Sequence, residues 1–297
     1  MEMRVLENEQ LKVSISDFGA ELSSVYDKEK DQERLWDANP TVWNRHAPIL
    51  FPFVGKVNGG VYRIGEQTYE MKTQHGFARD MEFECVEQTK TSAKHRLLPT
   101  EETRRIYPYE YELLVTHTLD ADNPRLLHIS WEVKNNGREE MLYSIGGHPA
   151  FTLPVSSKEE KEAYYLEFPG RDELTYIGVN PENGLAAVSQ KKTLKLENGF
   201  VKFYDDIYDT LIFDEQRIEK VRIAGPDRTP YVTMDCHEFP YLGIWAKKTG
   251  NFICLEPWAG RTDNDGFTGT LEEKTGEQKL EPGCSATVSH TIEFHKQ

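Results

Sequence analysis

An all-β sandwich of mainly antiparallel strands is the fold class this sequence predicts, on three observations. Apolar and polar side chains alternate with a strict period of two in several segments, turn-forming clusters separate those segments, and helical periodicity is scarce. In LLHISWEVKNNG, Leu127, Ile129, Trp131 and Val133 share one face, and Asn135-Asn136-Gly137 supplies the turn. SSKEEKEAYYLEF is the one stretch read as a short helix, opened by Ser156 or Ser157 as cap with Glu159 or Glu160 behind it. NGG at 58–60, NPENG at 180–184 and AGPDRTP at 224–230 read as turns. LGIWAKKTGNFICLEPWAG reads as a hairpin about Lys247-Lys248-Thr249-Gly250, with Phe252, Cys254 and Glu256 on one face of its second strand and Ile253 and Leu255 on the other. In ATVSHTIEFHK, Ala286, Val288, His290, Ile292 and Phe294 share a face.

Composition narrows the function. With 297 residues, 38% hydrophobic and 11% aromatic, the chain can bury a large core, and no apolar run approaches the roughly 18 residues of a membrane span. No internal repeat or flexible linker divides it, so residues 1–297 are expected to form a single domain. A net charge of −15 with dispersed basic residues disfavours nucleic acid and anionic membrane as partners and favours a neutral small molecule. The start MEMRVLENEQ lacks the apolar stretch of a signal peptide, so a cytoplasmic location is expected. Cys85, Cys236, Cys254 and Cys284 are too scattered for a metal or redox pair and are read as reduced thiols. A monomer and a homodimer fit these residues equally.

Two ionisable residues each precede a proline at a strand end. His148 lies in GGHPAFTLP, where Pro149 forces it into extended geometry; Glu256 lies in CLEPWAG, restricted in the same way by Pro257. Glu256 shares a face with apolar groups, so desolvation raises its pKa towards the range of a general base. His75 and Arg79 in QHGFARD offer hydrogen-bond donors to a polar ligand, and equally read as turn residues. Asp205, Asp206 and Asp209 precede an apolar run, the ordinary place for solvated turn aspartates. No spaced metal motif gathers His75, His148 and His237, so no metal is expected. No GxSxG, phosphate loop or dinucleotide fingerprint is present. Arg45 and the remaining histidines read as structural or surface residues.

Taken together, FGAEL near the start, WNRHAPILFPFVGKV, QHGFARD, GGHPAFTLP, YDTLIFD and CLEPWAG resemble the aldose 1-epimerase (galactose mutarotase-like) family, in particular its LacX-like bacterial branch. The resemblance runs in order along nearly the whole chain. It implies a β-supersandwich that binds a hexose in an open cleft, and an isomerase that interconverts the α and β anomers without a cofactor. It implies Glu256 as general base, His148 as general acid, and His75 as a hydrogen-bond partner near the ring oxygen. It places a sugar-binding aspartate at Asp209, with Asp206 as the alternative. Where the family has an arginine after glycine, this chain has Lys56, which keeps the charge and loses the planar fork. A carboxylate beside His148 is expected to keep the imidazole protonated near neutral pH. Trp245 or Trp258 is a candidate platform for a sugar face. Two other readings stand beside this one: a carbohydrate-binding protein without catalysis, and a hexose 6-phosphate mutarotase using Arg79, Lys56 and Arg45 on the phosphate.

Overall fold

The computed structural model describes residues 2–296. Strand Leu126–Asn135 buries Leu127, Ile129, Trp131 and Val133 and leaves the intervening side chains half-buried, as the alternation requires. It pairs antiparallel with Tyr111–Leu119 on one side and Ser285–Phe294 on the other, which sets Trp131 opposite Val288 and Ile129 opposite His290. These three strands belong to a nine-stranded sheet that runs out to Glu84–Gln88 on one edge and Phe200–Lys202 on the other. Burying each large apolar side chain of its inner face stabilises the fold by about 1.5–3 kcal/mol. His117 and His290 lie in this interior, where burial holds both imidazoles near 3 and therefore neutral.

A four-stranded sheet from Met3–Glu7 to Gln32–Glu33 shares no ladder with the large sheet; it packs Leu6, Val13, Ile15 and Val25 into the common core and adds a buried ion cluster. Asp27, fully buried, accepts from Arg34 at 3.1 Å and from Arg125 at 2.7 Å. Arg34 also donates to the Tyr231 carbonyl at 2.8 Å and lies 4.1 Å over that residue's ring. Burial works to raise the Asp27 carboxyl, yet donation from Arg125 holds it below the ordinary range.

The second large sheet positions the site. Its order is Leu211–Phe213, Tyr241–Ala246, Phe252–Ala259, Ile145–Gly147, Ile49–Leu50, with Ala150–Thr152 also pairing along Phe252–Ala259. The expected hairpin forms, with Cys254 opposite Trp245 and Glu256 opposite Gly243. Phe252 and Cys254 pack with Trp36 and Ala150, while Ile253 and Leu255 enter the main core, so the two faces divide as the alternation predicts. Ser157 caps the short helix Lys158–Lys161 by accepting from the Glu160 N–H at 3.2 Å. That helix clamps the hairpin turn: buried Lys161 donates to the carbonyls of Lys247 and Gly250 at 2.9 and 2.8 Å. A second helix, Glu101–Ile106, was not expected; it is too short to show periodicity and rests on the reciprocal cap between Thr100 and Thr103. Among the described residues no helix is long and apolar enough to cross a membrane.

Candidate active site

One strand register builds the site. Gly146 pairs with Trp258 and Ala150 with Cys254, and both pairings belong to the same antiparallel alignment. Continued through the break between them, that alignment sets His148 opposite Glu256. Pro149 and Pro257 carry no N–H, so the ladder lapses here and leaves the two side chains to face each other. His148 Nε2 stands 3.3 Å from Glu256 Oε1. Both carboxylate oxygens lack a hydrogen-bond partner among the described residues, although Glu256 is only 1% exposed. An unpaired buried acceptor is costly and marks a place where a ligand or a proton is due.

The pair forms the floor of a cleft of about 520 Å³, within the roughly 300–1,000 Å³ of small-molecule sites. Lys56, His75, Arg79 and Trp245 all line it, together with Trp258. Asp209 does not: it is exposed at the end of the turn Asp205–Asp209, one residue before Thr210, which does line the cleft. Asp206 is already engaged, accepting from the Tyr176 hydroxyl at 2.6 Å and from Lys192 at 2.7 Å.

His75 is held at a positive φ of 66°, and Gly76 follows because a Cβ there would lie 2.3 Å from the Phe51 carbonyl oxygen. Its Nδ1 accepts from the Gly55 N–H at 3.0 Å, which places the ring proton on Nε2. Burial, with the cationic neighbourhood, keeps this imidazole neutral. Arg79 donates to the Gln74 carbonyl at 2.6 Å; burial, then Arg45, lowers it to about 10, still cationic at neutral pH. Lys56 donates to the Asn183 carbonyl at 3.1 Å. Trp258 lies against two glycines of the neighbouring strands: a Cβ at Gly146 would meet its ring at 2.6 Å and one at Gly243 at 2.3 Å.

The protonation expected for His148 is corrected by its depth. Burial lowers the imidazole to about 3 instead of keeping it charged, and burial likewise raises Glu256 well above the ordinary carboxyl range, as its apolar face predicted. Removing water penalises the charge on each partner, so burial disfavours both the imidazolium and the carboxylate.

Sequence reasoning missed several lining residues. The Trp43 ring packs 4.9 Å from His148 and 5.6 Å from Trp245. Arg45, read as structural or surface apart from its part in the phosphate reading, lines the cleft and pairs with Asp80 at 2.6 Å. Thr210 has φ 70°, an outlier for a β-branched residue of the kind that gathers at functional sites. The run WNR before the strand Ile49–Leu50 was the available signal for the first two; nothing in YDTLIFD announces the third. His237 belongs to no candidate metal cluster among the described residues and is exposed against Asp235 at 2.6 Å. Instead, ligand atoms of His148, Cys254 and Glu256 lie within 4.8 Å of one another, a cluster made by strand pairing and so invisible to a linear motif.

The profile of the family described as Aldose 1-epimerase matches residues 2–268. This chain belongs to the aldose 1-epimerase family. Protein LacX (plasmid) of Lactococcus lactis subsp. lactis is 33% identical, over 97% of both chains. The galactose mutarotase related enzyme of Lactobacillus acidophilus is 34% identical with a TM-score of 0.92, covering 99% of this chain and 98% of that one. A galactose mutarotase-like protein from Lactobacillus casei ATCC 334 is 30% identical with a TM-score of 0.89, covering 99% of this chain and 100% of that one. The fold of this family member is therefore all-β and galactose mutarotase-like, as the sequence predicted.

Proposed function

We propose that this protein is an aldose 1-epimerase that interconverts the α and β anomers of a hexose by acid–base ring opening. The observation that carries the reading is the opposed pair His148 and Glu256, 3.3 Å apart with both carboxylate oxygens unpartnered, on the floor of a sugar-sized cleft. Burial favours the uncharged pair, and its carboxylate–imidazolium tautomer is the form that acts on the cyclic sugar. Glu256 takes the proton from the C1 hydroxyl, the C1–O5 bond breaks, and O5 takes the proton from His148. The products are the open aldehyde, a carboxylic acid and a neutral imidazole. Rotation about C1–C2 presents the other face of the aldehyde, and the same two protons return as the ring closes.

The shared proton gives this chemistry its economy of charge. Substrate turnover moves the pair between two tautomers of equal net charge, so no step creates an isolated ion in a buried site. Each proton transfer contributes typically 10²–10⁴-fold. His75 lines the cleft with its Nε2 2.7 Å from the Gln74 side-chain amide, so holding the sugar near its ring oxygen means displacing that amide, and the Trp43, Trp245 and Trp258 rings supply apolar walls. A basic rim of Lys56, Arg79, Arg45 and Lys247 in a chain of net charge −15 favours a second reading, a hexose 6-phosphate as substrate.

Polarimetry of freshly dissolved α-D-glucose, α-D-galactose and their 6-phosphates tests both. Faster approach to anomeric equilibrium with the free sugars supports the first reading, and acceleration confined to the phosphates supports the second. No acceleration of any of the four, with sugar binding retained, leaves the carbohydrate-binding protein.

A further inference from the structure

We propose that His148 Nε2, Cys254 Sγ and the Glu256 carboxylate form a binding site for a thiophilic divalent cation of the zinc class, and that the bound cation silences the acid–base pair. The first half stands on geometry alone; the second rests on the acid–base reading above. Tetrahedral zinc with bonds of about 2.0–2.3 Å sets its ligand atoms roughly 3.3–3.8 Å apart. His148 Nε2 and Glu256 Oε1 are already at 3.3 Å, and all three ligand atoms lie within 4.8 Å, so closing on a metal needs movement of about an ångström.

The donors are of the right kind. One imidazole, one thiol and one carboxylate make a three-ligand site, and a thiolate selects zinc-class metals over magnesium or calcium. Cys254 and Glu256 project from the same face of strand Phe252–Ala259, two residues apart, and His148 reaches them from across the register. Both oxygens of Glu256 are unpartnered among the described residues and nine-tenths or more buried, so their lone pairs are free to ligate. His148 and Glu256 face the cleft while Cys254 lies beneath them against Trp36 and Phe252, so the fourth position opens towards the cleft for water or a sugar oxygen.

Charge balances as well. Entry of the dication sends the thiol proton and the carboxyl proton to solvent, and a dication with one thiolate and one carboxylate is neutral. Trp36, Trp43, Trp245 and Phe252 supply an apolar side that tolerates a neutral complex better than a net charge, and Lys161 and Arg79 are the cations that act on Cys254 and His148. With the metal seated, His148 Nε2 has no lone pair or proton to exchange and the Glu256 carboxylate is no longer a free base.

The test uses the full chain carrying Cys85→Ser and Cys284→Ser, which removes the half-buried and the exposed thiol. The buried Cys236 thiol stays, donating to the Ile218 carbonyl at 3.1 Å. Cobalt(II) is titrated in as a spectroscopic probe, and zinc affinity is measured by competition with a chelator. The expected result is one metal per chain with a thiolate-to-cobalt charge-transfer band, abolished in Cys254→Ser. Zinc affinity should fall in that variant by at least the 10–100-fold that loss of a mere supporting partner costs. Absence of the band in the parent, or equal zinc affinity in Cys254→Ser, overturns the site. Anomer exchange is followed in parallel, each protein against its own metal-free rate; full occupancy with an unchanged rate overturns the inhibition. The cobalt band decides the metal site even if the metal-free protein exchanges no anomers, so the two failures are distinguishable.

Discussion

Replacing Gly243 with alanine should damage the cleft through Trp258. The added Cβ would stand 2.3, 2.4 and 3.0 Å from three ring atoms of Trp258, against an ordinary contact of 3.4 Å or more. Relief requires the ring to move by about an ångström. It cannot slide towards the opposite strand, because its other edge already lies where a Cβ of Gly146 would meet it at 2.6 Å. Overpacking of this kind costs about 1–3 kcal/mol. For a chain of this size a kilocalorie corresponds to the lower end of about 2–4 °C, so Tm should fall by roughly 2–6 °C. Trp258 lines the cleft two residues from Glu256, and a misplacement of about 1 Å near a reacting centre costs on the order of 100-fold in rate. Thermal unfolding and polarimetric kcat/KM measure both effects. Gly178→Ala is the control, since its Cβ would meet nothing closer than 3.9 Å. If Gly243→Ala melts and turns over like that control, Trp258 is not clamped between the two strands.

Three further outcomes are expected. Burial moves His148 to about 3 and Glu256 upward, so the one-proton form of the pair spans a wide window. The acid limb of the kcat/KM profile then lies well below the ordinary imidazole value of 6.5, and the alkaline limb above the ordinary carboxyl value of 4.5; activity confined between 4.5 and 6.5 would show two independently titrating groups instead. Asp27→Asn leaves Arg34 and Arg125 without their shared carboxylate and should cost about 3–5 kcal/mol in chemical denaturation; a loss under 1 kcal/mol would mean the ion cluster is not holding the small sheet. We further propose a single domain: limited proteolysis should nick loops without releasing a stable fragment, and recovery of two independently folded pieces would contradict that.

How much was legible in the sequence depends on whether a feature is local. Period-two alternation located the strands Leu126–Asn135 and Ser285–Phe294 and their inward residues, because side-chain direction in a strand follows from the backbone alone. His148 and Glu256 were each visible as residues before a proline, and Glu256 as a carboxyl on an apolar face. Their opposition was not, since it depends on which strand pairs with Phe252–Ala259 and in what register. The same limit hid Cys254 as a neighbour of His148. Trp43 and Arg45 reach the cleft from a loop whose path no periodicity describes, and Thr210 adopts a backbone conformation that its residue type disfavours. The expected charge on His148 went wrong for a physical reason: a carboxylate neighbour favours imidazolium, but burying both groups penalises both charges, and burial is the larger effect here.

The most direct test of the acid–base account is a double-mutant cycle in mutarotase activity across Glu256→Gln, His148→Asn and the two together, with sugar binding followed by tryptophan fluorescence. Residues that work as one unit lose about as much singly as jointly. The account predicts that each single variant loses at least 100-fold in kcat while still binding sugar, and that the double variant is scarcely worse. Losses that simply multiply, or a Glu256→Gln protein that still turns over, would show that this pair does not share the proton that opens the ring.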